Sequence, residues 1–262
     1  MDLAEMCRQV CELAIEAGRW IRQEAERIGN DKVEVKGINN FVTYVDKTSE
    51  KRLVDGLRSI LPEAGFITEE GTATDKGQLQ WIIDPLDGTT NFIHRVPPYS
   101  ISIGLANENN DILLGVVYEI VSGECFYAWQ NGGAYLNGKP IRVSDTDSVS
   151  NALIATGFPY TAFHRMEGFM KSLSHFFVHS HGVRRLGSAA VDMAYVACGR
   201  FDVFYEYNLN PWDVAAGIVL VKEAGGHLSD FKGGKNFLFG MEMIASNGKI
   251  HDNFVATLKQ FL

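Results

Sequence analysis

Apolar residues in the first thirty positions recur at Leu3, Met6, Cys7, Val10, Leu13, Ala14, Ala17 and Ile21. This is the 3.6-residue repeat of an amphipathic helix, and it predicts one over residues 3–28, stopping near Gly29-Asn30. Val33 and Val35 alternate with charges and predict a short strand, followed by a loop over residues 36–40. A second helix is expected to begin near Asp46, to turn Leu53, Val54, Leu57 and Ile60 inward, and to end before Pro62. Residues 64–67 lead into the acidic pair Glu69-Glu70, and 71–77 read as a small, polar loop. The apolar run Trp81-Ile82-Ile83 predicts a buried strand ending at Asp84, because Pro85 lacks an N–H and should stop strand pairing. Alternation then predicts strands over 100–105, 112–118 and 125–128, with turns at 107–111, Gly123, Asn131-Gly132-Gly133 and Asn137-Gly138. This middle section is an antiparallel sheet by pattern. Beyond Ser144 strands and helices alternate: strands at 152–156, 182–186 and 201–205, helices at 166–177, 188–198 and 213–224. The chain therefore divides into an α+β half, 1–143, and a second α/β half, 144–262.

Composition narrows the function classes. With 262 residues, 46% hydrophobic and 21% charged, the chain suffices for one large α/β domain or two tightly joined halves. A net charge of −8 argues against a broad electrostatic grip on nucleic acid, but not against small anions, since bound metal ions reverse the local field. No apolar run approaches the roughly 20 residues needed to span a bilayer. The start, Met1-Asp2-Leu3-Ala4-Glu5, lacks the basic opening of a signal peptide, so a cytoplasmic protein is expected. None of Cys7, Cys11, Cys125 and Cys198 forms a CxxC pair, and Cys7 and Cys11 are expected to pack on one helix face.

The chemistry concentrates in Trp81-Ile82-Ile83-Asp84-Pro85-Leu86-Asp87-Gly88-Thr89-Thr90-Asn91-Phe92. Asp84 and Asp87 flank a tight turn that can aim two carboxylates and the Leu86 carbonyl at one hard cation. Mg²⁺ favours such a set. Gly88 allows close backbone approach, and Thr89 or Thr90 can cap a following helix whose open N–H groups would cradle phosphate. Acids for a metal beside amides for a phosphate point to phosphoryl chemistry.

This run, answered downstream by Pro211-Trp212-Asp213-Val214-Ala215-Ala216-Gly217 and Glu223-Ala224-Gly225-Gly226, resembles the two signatures of the inositol monophosphatase family of Mg²⁺-dependent, lithium-sensitive phosphatases. The resemblance covers essentially the whole chain. It implies a layered αβαβα sugar-phosphatase fold and a homodimer. It also implies two Mg²⁺ ions, with a third by family analogy, held by Glu69, Asp84, the Leu86 carbonyl, Asp87 and Asp213. Glu70 would stand behind Glu69. Thr89 and Asp46 match the pair that orients an attacking water, although Asp46 taken alone could equally cap the second helix. Asp213 heads an apolar helix, where an acid also serves the helix dipole. Glu69 would join Thr89 and Asp46 as catalytic; Asp87, Gly88, Thr89, Thr90, Ala190 and Glu206 would contact the substrate, Gly88, Thr89 and Thr90 at the phosphate and Glu206 and Ala190 at the polyol. Lys36 matches a basic residue near the metal loop, and an exposed loop lysine is the alternative. Gly157-Phe158-Pro159-Tyr160 resembles bacterial members.

His175, His179 and His181 cluster, with His179 and His181 expected on one strand face, but zinc needs further ligands that the sequence does not offer. Arg184-Arg185 could bind an anion or serve structure. The leading expectation is a phosphomonoesterase acting on inositol monophosphate or a related small polyol or sugar phosphate. Alternatives on the same scaffold are fructose-1,6-bisphosphatase, histidinol-phosphatase and 3′-phosphoadenosine phosphatase. A different class is a regulatory protein binding the transcription machinery.

Overall fold

The computed structural model describes residues 1–27, 40–159 and 163–262, with 33–37 and 40–42 described at the level of the backbone. The expected helix stop at Gly29-Asn30, Ile38-Asn39 of the expected loop, Tyr160 and the side chain of Lys36 lie outside the described residues. Five layers are stacked, helix, sheet, helix, sheet, helix, as the family resemblance implied.

The outermost layer is α1 (Leu3–Ala25) beside α2 (Tyr44–Ile60). Asp2 starts α1 by accepting the Ala4 and Glu5 N–H groups, both at 3.1 Å. The predicted apolar stripe is buried: Met6, Cys7, Val10, Ala14, Ala17 and Ile21 all face the sheet beneath. Cys7, Cys11 and Cys125 are buried there as free thiols. Between the two helices the chain forms a small antiparallel hairpin, β1 (Val33–Gly37) and β2 (Asn40–Thr43), where the sequence suggested one strand and a loop.

Beneath lies a seven-stranded sheet, β3 (Gly65–Thr68), β4 (Gln80–Asp87), β5 (Ser100–Ala106), β6 (Ile112–Glu119), β7 (Glu124–Trp129), β8 (Gly133–Leu136) and β9 (Lys139–Ile141), paired in that order. All pairs are antiparallel except β3 with β4. Every residue of β5 and β6 is buried, because helices cover both faces. The expectation that Pro85 ends the strand is corrected. Pairing resumes beyond it, with Asp84 opposite Ser102 and Asp87 opposite Ser100, so Pro85 sits in a bulge where no N–H is required.

The central layer is α5 (Ala189–Ala197) and α6 (Pro211–Glu223), enclosed between the two sheets and apolar except for the buried Asp192 of α5 and the ends of α6. The second sheet has the order β11 (Gly182–Arg184), β10 (Leu153–Thr156), β12 (Val203–Tyr207), β14 (Glu242–Ser246), β13 (His227–Ser229). The change of sheet falls between β9 and β10. On its far side α4 (Met166–His179) and α7 (His251–Leu258) close the stack through Phe169, Phe176 and Phe254. Among the described residues, no helix is long and apolar enough to cross a membrane.

Candidate active site

Strand ends and helix starts from both halves of the chain meet at one cavity of about 270 Å³. β3 runs parallel to β4 and delivers Glu69, whose N–H reaches the Ile83 carbonyl at 3.3 Å. The bulge in β4 then presents Asp84, Leu86 and Asp87, and the Leu86 N–H donates to Asp84 Oδ1 at 2.9 Å. Gly88 turns the chain with φ 91°, a left-handed conformation open to glycine, and a Cβ there would lie 3.1 Å from the Gly187 carbonyl. α3 (Thr89–His94) follows, without a side-chain cap.

That last point corrects an expectation. Thr89 does not cap α3; its hydroxyl lies 3.0 Å from Asp46 Oδ1 and 3.1 Å from the Leu86 carbonyl. Asp46 is 1% exposed and closes a capping box at the start of α2, accepting the Thr43 N–H at 2.8 Å. The two readings that the sequence left open for Asp46, cap and Thr89 partner, are both realised, one on each oxygen.

Asp87 is fixed by a segment a hundred residues away. Its Oδ2 accepts the Ser188 hydroxyl at 2.6 Å and the Ala190 N–H at 2.9 Å, both from the first turn of α5. Ala190 is fully buried, so it reaches the site through Asp87 and does not line the cavity. Asp213 caps α6 by accepting the Asn210 N–H at 2.7 Å. Glu206, on β12, lines the cavity together with Glu69, Asp84, the Leu86 position, Asp87, Gly88, Thr89, Thr90 and Asp213. Glu70 stands outside the cavity, its N–H donated to the buried Glu50 at 2.7 Å.

Electrostatics single out this cluster. Burial pushes the Asp84 carboxyl well above the usual carboxylate range, and the charges of Glu69, Asp87 and Asp213 push it further. Burial raises Asp213 likewise, with Asp87 adding to it. Asp87 rises to about 6, burial outweighing the Ser188 and Ala190 hydrogen bonds. Glu206, half-buried at the wall, is pushed up to about 8 by burial, against the pull of Arg185. Among the described residues no three His, Cys, Asp or Glu side chains stand close enough to hold a metal ion as they are. The acids suit a cation by chemistry: the donors are hard oxygens, and a dication would relieve both their burial and their mutual repulsion.

Sequence reasoning missed Glu50 and the link between Ser188 and Asp87. The Gly-Ser step before an apolar helix marks Ser188 as an N-cap, but nothing in the chain links it to Asp87. Arg185, left open between anion site and structure, lines the cavity, its guanidinium 5.7 Å from the Phe158 ring. The histidine reading is corrected. α4 runs through His179, which stacks on His175 at 4.2 Å, so His179 and His181 share no strand.

The sequence model of the inositol monophosphatase family matches residues 2–261. The chain is 40% identical over 252 residues to the Nus factor SuhB of Escherichia coli strain K12, covering 95% of this chain and 94% of that protein. It is 36% identical over 262 residues to the inositol-1-monophosphatase of Mesorhizobium japonicum, covering 99% and 98%. Its fold is similar to the crystal structure of the extragenic suppressor protein suhB from Bartonella henselae, with a TM-score of 0.92, 36% identity, and coverage of 97% and 98%.

Proposed function

The chain belongs to the inositol monophosphatase family, and from that premise we propose that it is a Mg²⁺-dependent phosphomonoesterase acting on inositol monophosphate or a related small polyol or sugar phosphate. The observation that carries this reading is the gathering of Glu69, Asp84, Asp87 and Asp213, from elements far apart in sequence, onto one cavity.

Glu69, Asp84, the Leu86 carbonyl, Asp87 and Asp213 are the residues that would hold the ions. Bound there, Mg²⁺ supplies the charge that activates a water and stabilises the leaving oxygen. The chain's own residues do the rest. Thr89 donates its hydroxyl hydrogen bond to Asp46 or to the Leu86 carbonyl, so its oxygen lone pairs can accept a hydrogen bond from an attacking water and aim it. Asp46, whose carboxyl burial raises against the pull of Thr43 and Thr89, suits a group that shares a proton. The uncapped turn Gly88-Thr89-Thr90 offers backbone N–H groups to the phosphate oxygens. Glu206 would accept hydrogen bonds from polyol hydroxyls, and a nearby bound cation would draw it back toward the charged form.

The test is phosphate release from inositol 1-phosphate, fructose 1,6-bisphosphate, histidinol phosphate and 3′-phosphoadenosine phosphate, with and without Mg²⁺ and with added Li⁺. Mg²⁺-dependent, Li⁺-inhibited preference for inositol 1-phosphate is expected. Preference for another ester moves the substrate and keeps the chemistry.

A second reading, regulatory binding to the transcription machinery, is favoured by the similarity to a Nus factor. Absence of turnover on every ester, with Mg²⁺ bound, would make it the better account.

A further inference from the structure

The cavity wall that Glu206 shares with Gly157 and Arg185 is built around a missing side chain. A Cβ placed on Gly157 would fall 2.0 Å from Glu206 Oε2, 2.1 Å from Oε1 and 2.1 Å from Cδ. All three atoms of the carboxylate head therefore lie over a single Cα, in the volume that any other residue at 157 would fill. Such distances are far inside the roughly 3.5 Å at which non-bonded heavy atoms rest. Gly157 is not among the residues with a left-handed backbone, so what glycine provides here is space for the carboxylate and not conformation.

Charges on several sides act on the Glu206 carboxylate, Asp192 and Asp213 among them. Arg185 attracts it and Asp87 repels it. None of these sets where the head comes to rest, because Coulomb attraction has no sharp stop. Contact does. Gly157 follows β10, and Glu206 lies on the neighbouring strand β12, so the slot and the carboxylate are held by two paired strands. Position and identity are thus encoded separately: Glu206 supplies the acceptor oxygens, and Gly157 the place they occupy.

We propose that Gly157 is the positioning residue for the carboxylate that reads the leaving group, and that the slot over its Cα sets selectivity for esters carrying free hydroxyls. The proposal rests on the phosphatase reading above, with Glu206 as the polyol contact. An alanine at 157 would expel the Glu206 head from its slot and misdirect its acceptor oxygens. An aryl phosphate, which has no hydroxyls for Glu206 to accept from, would be affected far less.

The experiment compares wild type, Gly157→Ala, Glu206→Ala, the double variant Gly157→Ala/Glu206→Ala, and Gly157→Ala/Glu206→Asp. Each is assayed with inositol 1-phosphate and with p-nitrophenyl phosphate. Gly157→Ala is expected to lower the ratio of the two kcat/KM values about tenfold or more, through KM for the inositol ester, as expected for a lost hydrogen bond to a charged group. In the Glu206→Ala background the same change should leave the ratio where Glu206→Ala alone puts it. The shorter aspartate should restore part of the selectivity in the Gly157→Ala protein.

A wild-type ratio in Gly157→Ala overturns the proposal, as does an equal loss in the Glu206→Ala background. Should Gly157→Ala fail to fold, a folded double variant with the Glu206→Ala ratio supports the slot, and an unfolded one overturns it. A wild type that hydrolyses neither ester overturns the phosphatase reading and this proposal together, an outcome distinct from the others.

Discussion

Helix α6 holds Asp213 at its start, and its distance from the sheet is set by a residue with no side chain. A Cβ on Gly115, in the middle of β6, would lie 2.6 Å from the Ala216 carbonyl oxygen, 2.7 Å from Val219 Cγ1 and 2.8 Å from Ala216 Cα. Ala216 is one helical turn past Asp213, and two of its backbone atoms are in the way, so no side-chain rotation relieves the clash. Restoring ordinary contact in Gly115→Ala requires α6 to lift by about 0.7 Å at that turn. Overpacking of this kind costs about 1–3 kcal/mol, which for a domain of this size lowers Tm by about 2–12 °C. Asp213 travels with the helix, because Oδ2 is bound to the Asn210 N–H. A displacement approaching 1 Å in a catalytic constellation can cost up to about a hundredfold, so kcat should fall about tenfold and the Mg²⁺ concentration for half-maximal rate should rise. Thermal unfolding and a Mg²⁺ titration of the initial rate measure both effects. Leu57→Ala, which empties a fully buried site on α2, provides a comparably destabilised control whose Mg²⁺ requirement should not move. Refutation would come from Gly115→Ala losing stability while its Mg²⁺ requirement and kcat match wild type, since α6 would then not govern the site.

Asp87→Asn should lower turnover about a hundredfold or more while the fold survives, because a charge is removed but an acceptor remains for Ser188 and Ala190; near-wild-type hydrolysis by a correctly folded variant would refute the assignment. His251 is 3% exposed between the Ser246 and Ser229 hydroxyls, and burial, helped by His227, lowers its pKa to about 4. The unfolded chain therefore takes up a proton below about pH 6.5 that the folded ring refuses until about pH 4, and this residue should cost about 3 kcal/mol of stability as pH falls through that window. Denaturant unfolding of His251→Gln should show a flatter pH profile there, and an unchanged slope would show that the ring is not the cause. Asp192 is 1% exposed, its Oδ1 has no hydrogen-bond partner among the described residues, and burial raises its carboxyl well above the usual range. The folded protein keeps a proton there that the unfolded chain has lost, so the penalty grows with rising pH. Asp192→Asn should accordingly raise Tm more at pH 8 than at pH 5; a gain independent of pH would contradict this.

Local pattern carried most elements and the acids of the site, and failed where distant partners decide. α1 and α2 were legible because their apolar periodicity matches what they bury, and β5, β6 and α6, buried on all sides, were legible as largely apolar stretches. β13, β14 and α7 were not anticipated: the strands are three and five residues long, and α7 starts without a side-chain cap. A proline cannot donate in a ladder, which predicts a strand end at Asp84, yet the bulge spares Pro85 that role. Position after Gly88 suggests Thr89 or Thr90 as a cap, whereas the Thr89 hydroxyl is engaged by Asp46, 43 residues earlier, the pairing that only the family resemblance implied. The anchoring of Asp87 by α5 leaves no local trace, since Ser188 reads as a cap whether or not a carboxylate lies beyond it.

Asp46 and Asp213 share one arrangement: each commits an oxygen to the backbone N–H that opens its own helix. In the history of such a lineage this makes them poor witnesses to catalysis. A descendant recruited to another task would keep both acids to start α2 and α6. Thr89 and Glu69 carry no such helix-starting duty, and substitutions there would be the first record of lost turnover.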